Sequence, residues 1–192
     1  MDKIIFLHGF NSSGQCSKSD LLQYYLPQYK FITPNLPNSP TKCMRYIKTI
    51  IKQQYDNPYE KIHFIGCNLG SFYCLYFAEK YNLNTFLIDP VTNPYELLLN
   101  VTQRHFYCEL NKNDSAHIRK KELDYIYSLE NKLYSTNFYS NIEVSLNEDD
   151  IFFESAFSFF KDKNVELYHY SDPKNTTELV QKLYKEINKH FS

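Results

Sequence analysis

Glycine is scarce in this chain, with 4 residues among 192, against the ~7% usual in proteins. The scarcity makes each position informative. Gly9 and Gly14 follow the first apolar run, and Gly66 and Gly70 close a later one. Tryptophan is absent, and the five cysteines (16, 43, 67, 74, 108) form an odd set without a C-x-x-C pair. With no secretory pattern in Met1-Asp2-Lys3, that cysteine usage leads us to expect a reduced, cytoplasmic location. No apolar run reaches the ~18 residues of a membrane span. The six histidines show no H-E-x-x-H or other metal-ligand spacing, so neither a metal nor a cofactor is expected. A net charge of −1 gives no support for a nucleic-acid partner. There is no internal repeat and no low-complexity linker.

What is present is a foldable core. Hydrophobic residues make up 43% of the chain and aromatics 17%, with 18 Tyr and 15 Phe. Over 1–192 one domain is expected, large enough to bury a core. Apolar runs at 3–7, 30–33, 61–65, 85–88, 141–146 and 165–170 read as strands. Between them lie helical patterns. Ser17 or Ser19 is the expected N-cap of the first, Thr41 of the second, and Thr176 or Thr177 of the last. The last places Leu179, Leu183, Ile187 and Phe191 on one stripe. Leu69 to Tyr81 is apolar nearly all round, as a helix buried against a sheet is. Residues 101–135 are the least legible part, read as short helices or a lid. The alternation specifies an α/β fold with a mostly parallel sheet, and right-handed crossovers put helices on both faces. The result is a three-layer sandwich. Ligands bind such sheets at the carboxyl ends of the strands, so the loops after residues 7, 65, 88, 146 and 170 are the candidate site.

The stretch Ile62-His63-Phe64-Ile65-Gly66-Cys67-Asn68-Leu69-Gly70-Ser71 organises the chain. It reads as a strand, a sharp turn and a helix, with the G-x-S-x-G spacing of a nucleophile elbow. The elbow needs glycine where strand and helix backbones pass closely. Its middle position, which is Ser in an esterase, is Asn68. Asn tolerates positive φ, so the turn survives, but an amide is not an acyl nucleophile.

Three stretches together, L-H-G-F-N-S-S (7–13), G-C-N-L-G-S (66–71) and D-P-V-T-N-P-Y-E-L-L (89–98), resemble the small bacterial YqiA-like esterases of the α/β-hydrolase superfamily, in register over nearly the whole chain. The resemblance implies an α/β-hydrolase sandwich and a Ser-acid-His triad. It places Asn68 at the nucleophile position and Glu148, in Asn147-Glu148-Asp149, at the acid position. Ser171 or Asp172 falls at the base position, so the position of the family's histidine holds none. His169, two residues earlier, is a displaced candidate base. The oxyanion hole maps to the backbone N–H groups of Leu69 and Phe10.

Other residues carry blander readings. Cys67 precedes the apex, where a side chain points into the sheet, and reads as a buried thiol. It is also the one substitute nucleophile at the elbow. His8 orders its loop, and His63 is a core or edge histidine. Asp89-Pro90 is turn chemistry, with Asp89 as an alternative acid, and Glu148-Asp149-Asp150 is a solvated loop, with a metal-attracting cluster as the alternative. The expectation is a non-catalytic hydrolase homologue that binds a small carbonyl or anionic ligand or a protein partner. The alternatives are a hydrolase with relocated residues (Cys67, His169, Glu148) or an acyl-handling enzyme using the oxyanion hole alone.

Overall fold

The computed structural model describes residues 1–55, 59–103, 118–136, 141–171 and 175–192. His105, Cys108 and His117, Asp172 at the base position, and the Asp56-Asn57-Pro58 stop signal lie outside the described residues. Among the described residues six strands form one sheet: β1 (Lys3–Leu7), β2 (Lys30–Ile32), β3 (Ile62–Cys67), β4 (Thr85–Ile88), β5 (Ile142–Asn147) and β6 (Glu166–Tyr170). Their order is β2-β1-β3-β4-β5-β6, and each neighbouring pair is parallel. The register aligns Leu7 with Gly66 and Cys67 with Ile88. The loops after β1, β3 and β4 therefore leave the sheet side by side.

Among the described residues seven helices cover the two faces: α1 (Ser17–Tyr25), α2 (Pro40–Gln54), α3 (Leu69–Tyr81), α4 (Pro94–Gln103), α5 (Lys120–Tyr134), α6 (Phe153–Phe160) and α7 (Thr176–Phe191). Strand residues alternate between them, as the pleat requires. Ile4, Phe6, Ile65, Cys67, Phe86 and Ile88 pack with Leu22 of α1 and the Leu179-Leu183-Ile187-Phe191 stripe of α7. Ile5, Leu7, Phe64, Leu87 and Val144 face the opposite layer, where α2, α3, α5 and α6 pack. This is the three-layer sandwich, with a parallel sheet buried on both faces.

Helix caps differ in detail from the sequence reading. Cys16 is the N-cap of α1, and Ser19 sits at N3, where its Oγ accepts from Cys16 N–H at 3.0 Å. Ser39, not Thr41, caps α2, because Pro40 takes the first helical position. Asn175, not a threonine, caps α7 and accepts from Glu178 N–H at 3.0 Å. In each case the true cap lies one to three residues before the residue expected. Within 101–135, α5 packs against α4 and α2, burying Leu123, Ile126, Leu129 and Leu133. Glu122 fastens its first turn. Buried to 1% exposure, its carboxylate accepts a short hydrogen bond from the Ser39 hydroxyl and one from Arg119 N–H at 3.0 Å.

Candidate functional site

At the turn from β3 to α3 the backbone reverses in one residue. Asn68 has φ 47° and ψ −117°, a combination an L-residue holds at a cost on the order of 1–3 kcal/mol. Local hydrogen bonds offset that cost. Asn68 N–H donates to Ile88 O at 3.0 Å, and its carbonyl accepts from Ser71 at 3.1 Å and Val91 at 3.2 Å. Its side-chain amide donates to the Asp89 carbonyl at 3.3 Å. The glycines on either side are sterically compelled. A Cβ on Gly66 would lie 2.6 Å from Ser71 Cα, and one on Gly70 would lie 2.1 Å from Leu7 O. Strand and helix thus touch at this turn, as an elbow requires.

The first loop closes over the apex. A Cβ on Gly9 would lie 3.1 Å from Asn68 Cβ, so the loop backbone rests directly on the Asn68 side chain. His8 fixes that loop from below. It is 5% exposed. Its Nε2 accepts from Leu36 N–H at 2.9 Å, which leaves the proton on Nδ1, 2.7 Å from Gly9 O. Burial lowers its pKa, and both nitrogens are engaged. Phe10 follows, half-buried against the core. Leu69 opens α3, so its N–H has no acceptor within the helix.

On the other flank of Asn68 stands Asp89, also at positive φ (48°) and buried. The Tyr170 hydroxyl donates to its carboxylate, 2.6 and 2.7 Å from the two oxygens, and Asn147 N–H donates at 3.0 Å. Burial pushes the Asp89 carboxyl up, opposed by the Tyr170 hydrogen bond and the charge of Lys18. Burial and the Asp89 charge raise the Tyr170 phenol far above its usual range, so it stays a donor. The turn reading of Asp89 is correct for its backbone, but its side chain anchors β6 to the elbow.

The remaining sequence candidates gather elsewhere. His169 lies within β6, with Nδ1 3.5 Å from Glu148 Oε1, and its ring edge meets Phe153 and Phe157 of α6. Adjacent strand residues point to opposite faces. Tyr170 therefore reaches Asp89 from the α7 side while His169 faces α6. Ser171 follows β6 and is exposed. Cys67 is 3% exposed, and burial pushes its thiol up to about 12, so it is no thiolate at neutral pH. Among the described residues no cluster of His, Cys, Asp and Glu is arranged to hold a metal, and no helix is long and apolar enough to cross a membrane.

Two cavities meet at Phe10, and the smaller of them adjoins the elbow. A groove of about 670 Å³ is walled by Phe10, Leu97, Val101 and Phe152, with Glu96 and Glu154 among its polar residues. A smaller one, of about 270 Å³, is lined by Asn68, Cys67, Lys18, Ser12, Ser17 and Thr176, among others. Phe10 lines both. Sequence reasoning missed Lys18 and Tyr170, because neither belongs to a motif. Only the folded register of β6 and the placement of α1 bring them to the elbow.

The architecture is shared with solved hydrolases. Est1E from Butyrivibrio proteoclasticus, solved with ferulic acid bound, superposes with a TM-score of 0.75 at 12% identity, covering 100% of this chain and 90% of that one. FphF, a fluorophosphonate-binding serine hydrolase of Staphylococcus aureus, gives 0.71 at 14% identity, covering 100% and 84%. The monoacylglycerol lipase of Paleococcus ferrophilus gives 0.69 at 12%, covering 98% and 94%. At these identities the likeness is one of fold. Residues 3–135 match the model of an uncharacterised protein family, UPF0227, and the chain belongs to that family, on an esterase-like α/β-hydrolase fold.

Proposed function

We propose that this protein is a non-catalytic member of the α/β-hydrolase fold that binds a small carbonyl-containing or anionic ligand at the elbow. The observation that carries the reading is Asn68, which sits at the elbow apex with its amide hydrogen-bonded to the Asp89 carbonyl. Asp89 is in turn held by the Tyr170 hydroxyl. An amide cannot attack an acyl carbon, and the neighbouring Asp89 carboxyl is occupied by the Tyr170 hydroxyl and the Asn147 N–H. The His8 ring nitrogens are both used within their loop. Backbone donors outlast the loss of a nucleophile, so the Leu69 and Phe10 amides remain as the polar end of a binding site, and the Phe10-Leu97-Val101-Phe152 groove supplies apolar surface. Removing the nucleophile from a serine hydrolase forfeits most of its rate. Purified protein is therefore expected to hydrolyse p-nitrophenyl acetate and butyrate no faster than an inert protein at equal concentration.

A second reading has its own support in the 3.5 Å approach of His169 to Glu148, an acid–base pair near the carboxyl end of the sheet. If that pair drives a relocated hydrolytic site, turnover will be robust and will disappear in His169→Ala. A protein partner on the outer surface is the reading left if neither ligand binding nor turnover is found.

A further inference from the structure

We propose that the smaller cavity beside Asn68 is a subsite for a small oxyanion, the carboxylate or phosphate group of an organic ligand. This rests on the reading of the elbow as a binding site and names the chemistry of its polar end. The two cavities differ in electrostatic character. Among the described residues, Glu96 and Glu154 line the larger groove and no Lys or Arg does. Among the described residues, the smaller has Lys18 in its wall and no Asp or Glu. Lys18 is half-buried and, among the described residues, makes no ion pair within 4 Å. Its charge reaches Cys67 in the cavity wall and the buried Asp89 beyond it, opposing the effect of burial on the pKa of each. The hydroxyls of Ser12, Ser17 and Thr176 and the amide of Asn68 are the neutral hydrogen-bonding groups of the same wall. A lysine ammonium beside hydroxyl and amide groups, in a wall whose described residues include no carboxylate, suits an anion of hydrogen-bond acceptors. The helices α1 and α7 begin at Ser17 and Thr176, which adds the positive ends of their dipoles without being needed for the argument.

Size narrows the ligand. An engineered apolar cavity of about 150 Å³ holds benzene, so about 270 Å³ admits an acid of benzoate or phenyl phosphate size. A long acyl chain would have to leave over Phe10, which lines both cavities. The charge contrast also predicts selectivity, since a neutral isostere forgoes the interaction with Lys18.

The test is calorimetric titration of the full chain with benzoate, phenyl phosphate and the neutral isostere benzamide, in chloride buffer at fixed ionic strength. The expected result is that at least one anion binds about 10-fold or more tighter than benzamide, and the better of the two identifies carboxylate or phosphate as the natural group. Lys18→Met is expected to remove that advantage, while Lys48→Met, on the exposed face of α2, retains it. In parallel, the Asn68 side-chain amide resonance of isotope-labelled wild-type protein is expected to shift on saturation with the preferred anion, a readout that does not depend on the variants folding. Anions that bind no tighter than benzamide, an advantage that persists in Lys18→Met, or an unmoved Asn68 amide would each overturn the proposal. Ester turnover is measured separately. An active wild type overturns the non-catalytic reading whatever the anions do, and an inactive one that ignores anions overturns the subsite alone.

Discussion

Asn68 lies where a left-handed backbone, an esterase-like turn and an uncatalytic side chain coincide. The chain's use of residues around it follows a division of labour. Among the described residues the positive-φ positions are Asn11, Asn68, Asn82 and Asp89, and no glycine adopts positive φ. The glycines are spent on close approach instead, with backbone or side-chain atoms 2.1–3.1 Å from any added Cβ. Asn and Asp are the side chains that best tolerate the left-handed region, which explains how so glycine-poor a chain makes its turns. Asn68→Ser should therefore fold, since serine accepts the same turn in serine hydrolases. It should nevertheless gain no more than a few-fold in p-nitrophenyl butyrate turnover, because a serine hydroxyl is a weak nucleophile without a base. The measurement is kcat/KM for wild type and variant. A gain of two orders of magnitude or more would mean that an imidazole reaches the apex. At this scale the elbow and its two glycines were legible because steric necessity leaves a spacing in the sequence. The Tyr170–Asp89 hydrogen bond was not, since it joins residues 81 positions apart through a register that only the folded sheet defines.

Among the elements, α5 shows how a poorly legible segment is held in place. Its apolar face, Leu123, Ile126, Leu129 and Leu133, follows helical spacing, but the charged run before it and the polar residues upstream obscured its start. The fastening at that start is Glu122, whose carboxylate accepts from Ser39 and from the Arg119 amide. The same Ser39 hydroxyl accepts from Lys42 N–H at 3.4 Å to cap α2. One carboxylate therefore ties the first turns of two helices. Glu122→Ala should lower unfolding stability by about 2–4 kcal/mol, because it strands buried donors as well as losing the bonds. Ser39→Ala should cost about 1 kcal/mol or more as a lost cap. Denaturant titration of both single variants and the double variant should show less than additive loss, since the two act through one interaction. Full additivity would separate the cap from the fastening. The caps of α1, α2 and α7 were each misplaced by one to three residues for a related reason. Several polar residues lie close together at these starts, and backbone geometry, not side-chain type, selects the cap, which at α1 is Cys16.

For the molecule as a whole, the mostly parallel sheet and its layering were legible, because apolar runs alternating with helices suit a parallel sheet covered on both faces; the order of the strands was not, since it is fixed by pairings between distant segments. The amino-terminal end of β3, opposite the elbow, holds a titratable weak point. His63 in β3 is 1% exposed, stacks on Phe191 of α7 with ring centroids 4.4 Å apart, and finds no hydrogen bond for either nitrogen. Burial lowers its pKa to about 4, helped by Lys61 and His190 and opposed by Asp2, whose carboxylate lies 3.9 Å away. Because the folded pKa lies below the unfolded value of about 6.5, the unfolded chain binds the extra proton between those limits. Stability from this group is complete above pH ~6.5 and falls as pH drops towards 4, by on the order of 3 kcal/mol. His63→Phe should keep the stack and flatten the stability–pH curve between pH 6.5 and 4. An unchanged acid limb in urea melts would assign the loss to other groups.

The account turns on whether an activated nucleophile stands anywhere in this fold, and intact-mass analysis after exposure to a fluorophosphonate probe reads that directly. Wild-type protein incubated with excess probe is predicted to keep its unmodified mass, and Asn68→Ser to label no faster than the background reaction of an unactivated hydroxyl. A stoichiometric adduct on the wild type, mapped by peptide sequencing to any residue of the elbow or of the β5 and β6 loops, would contradict the account.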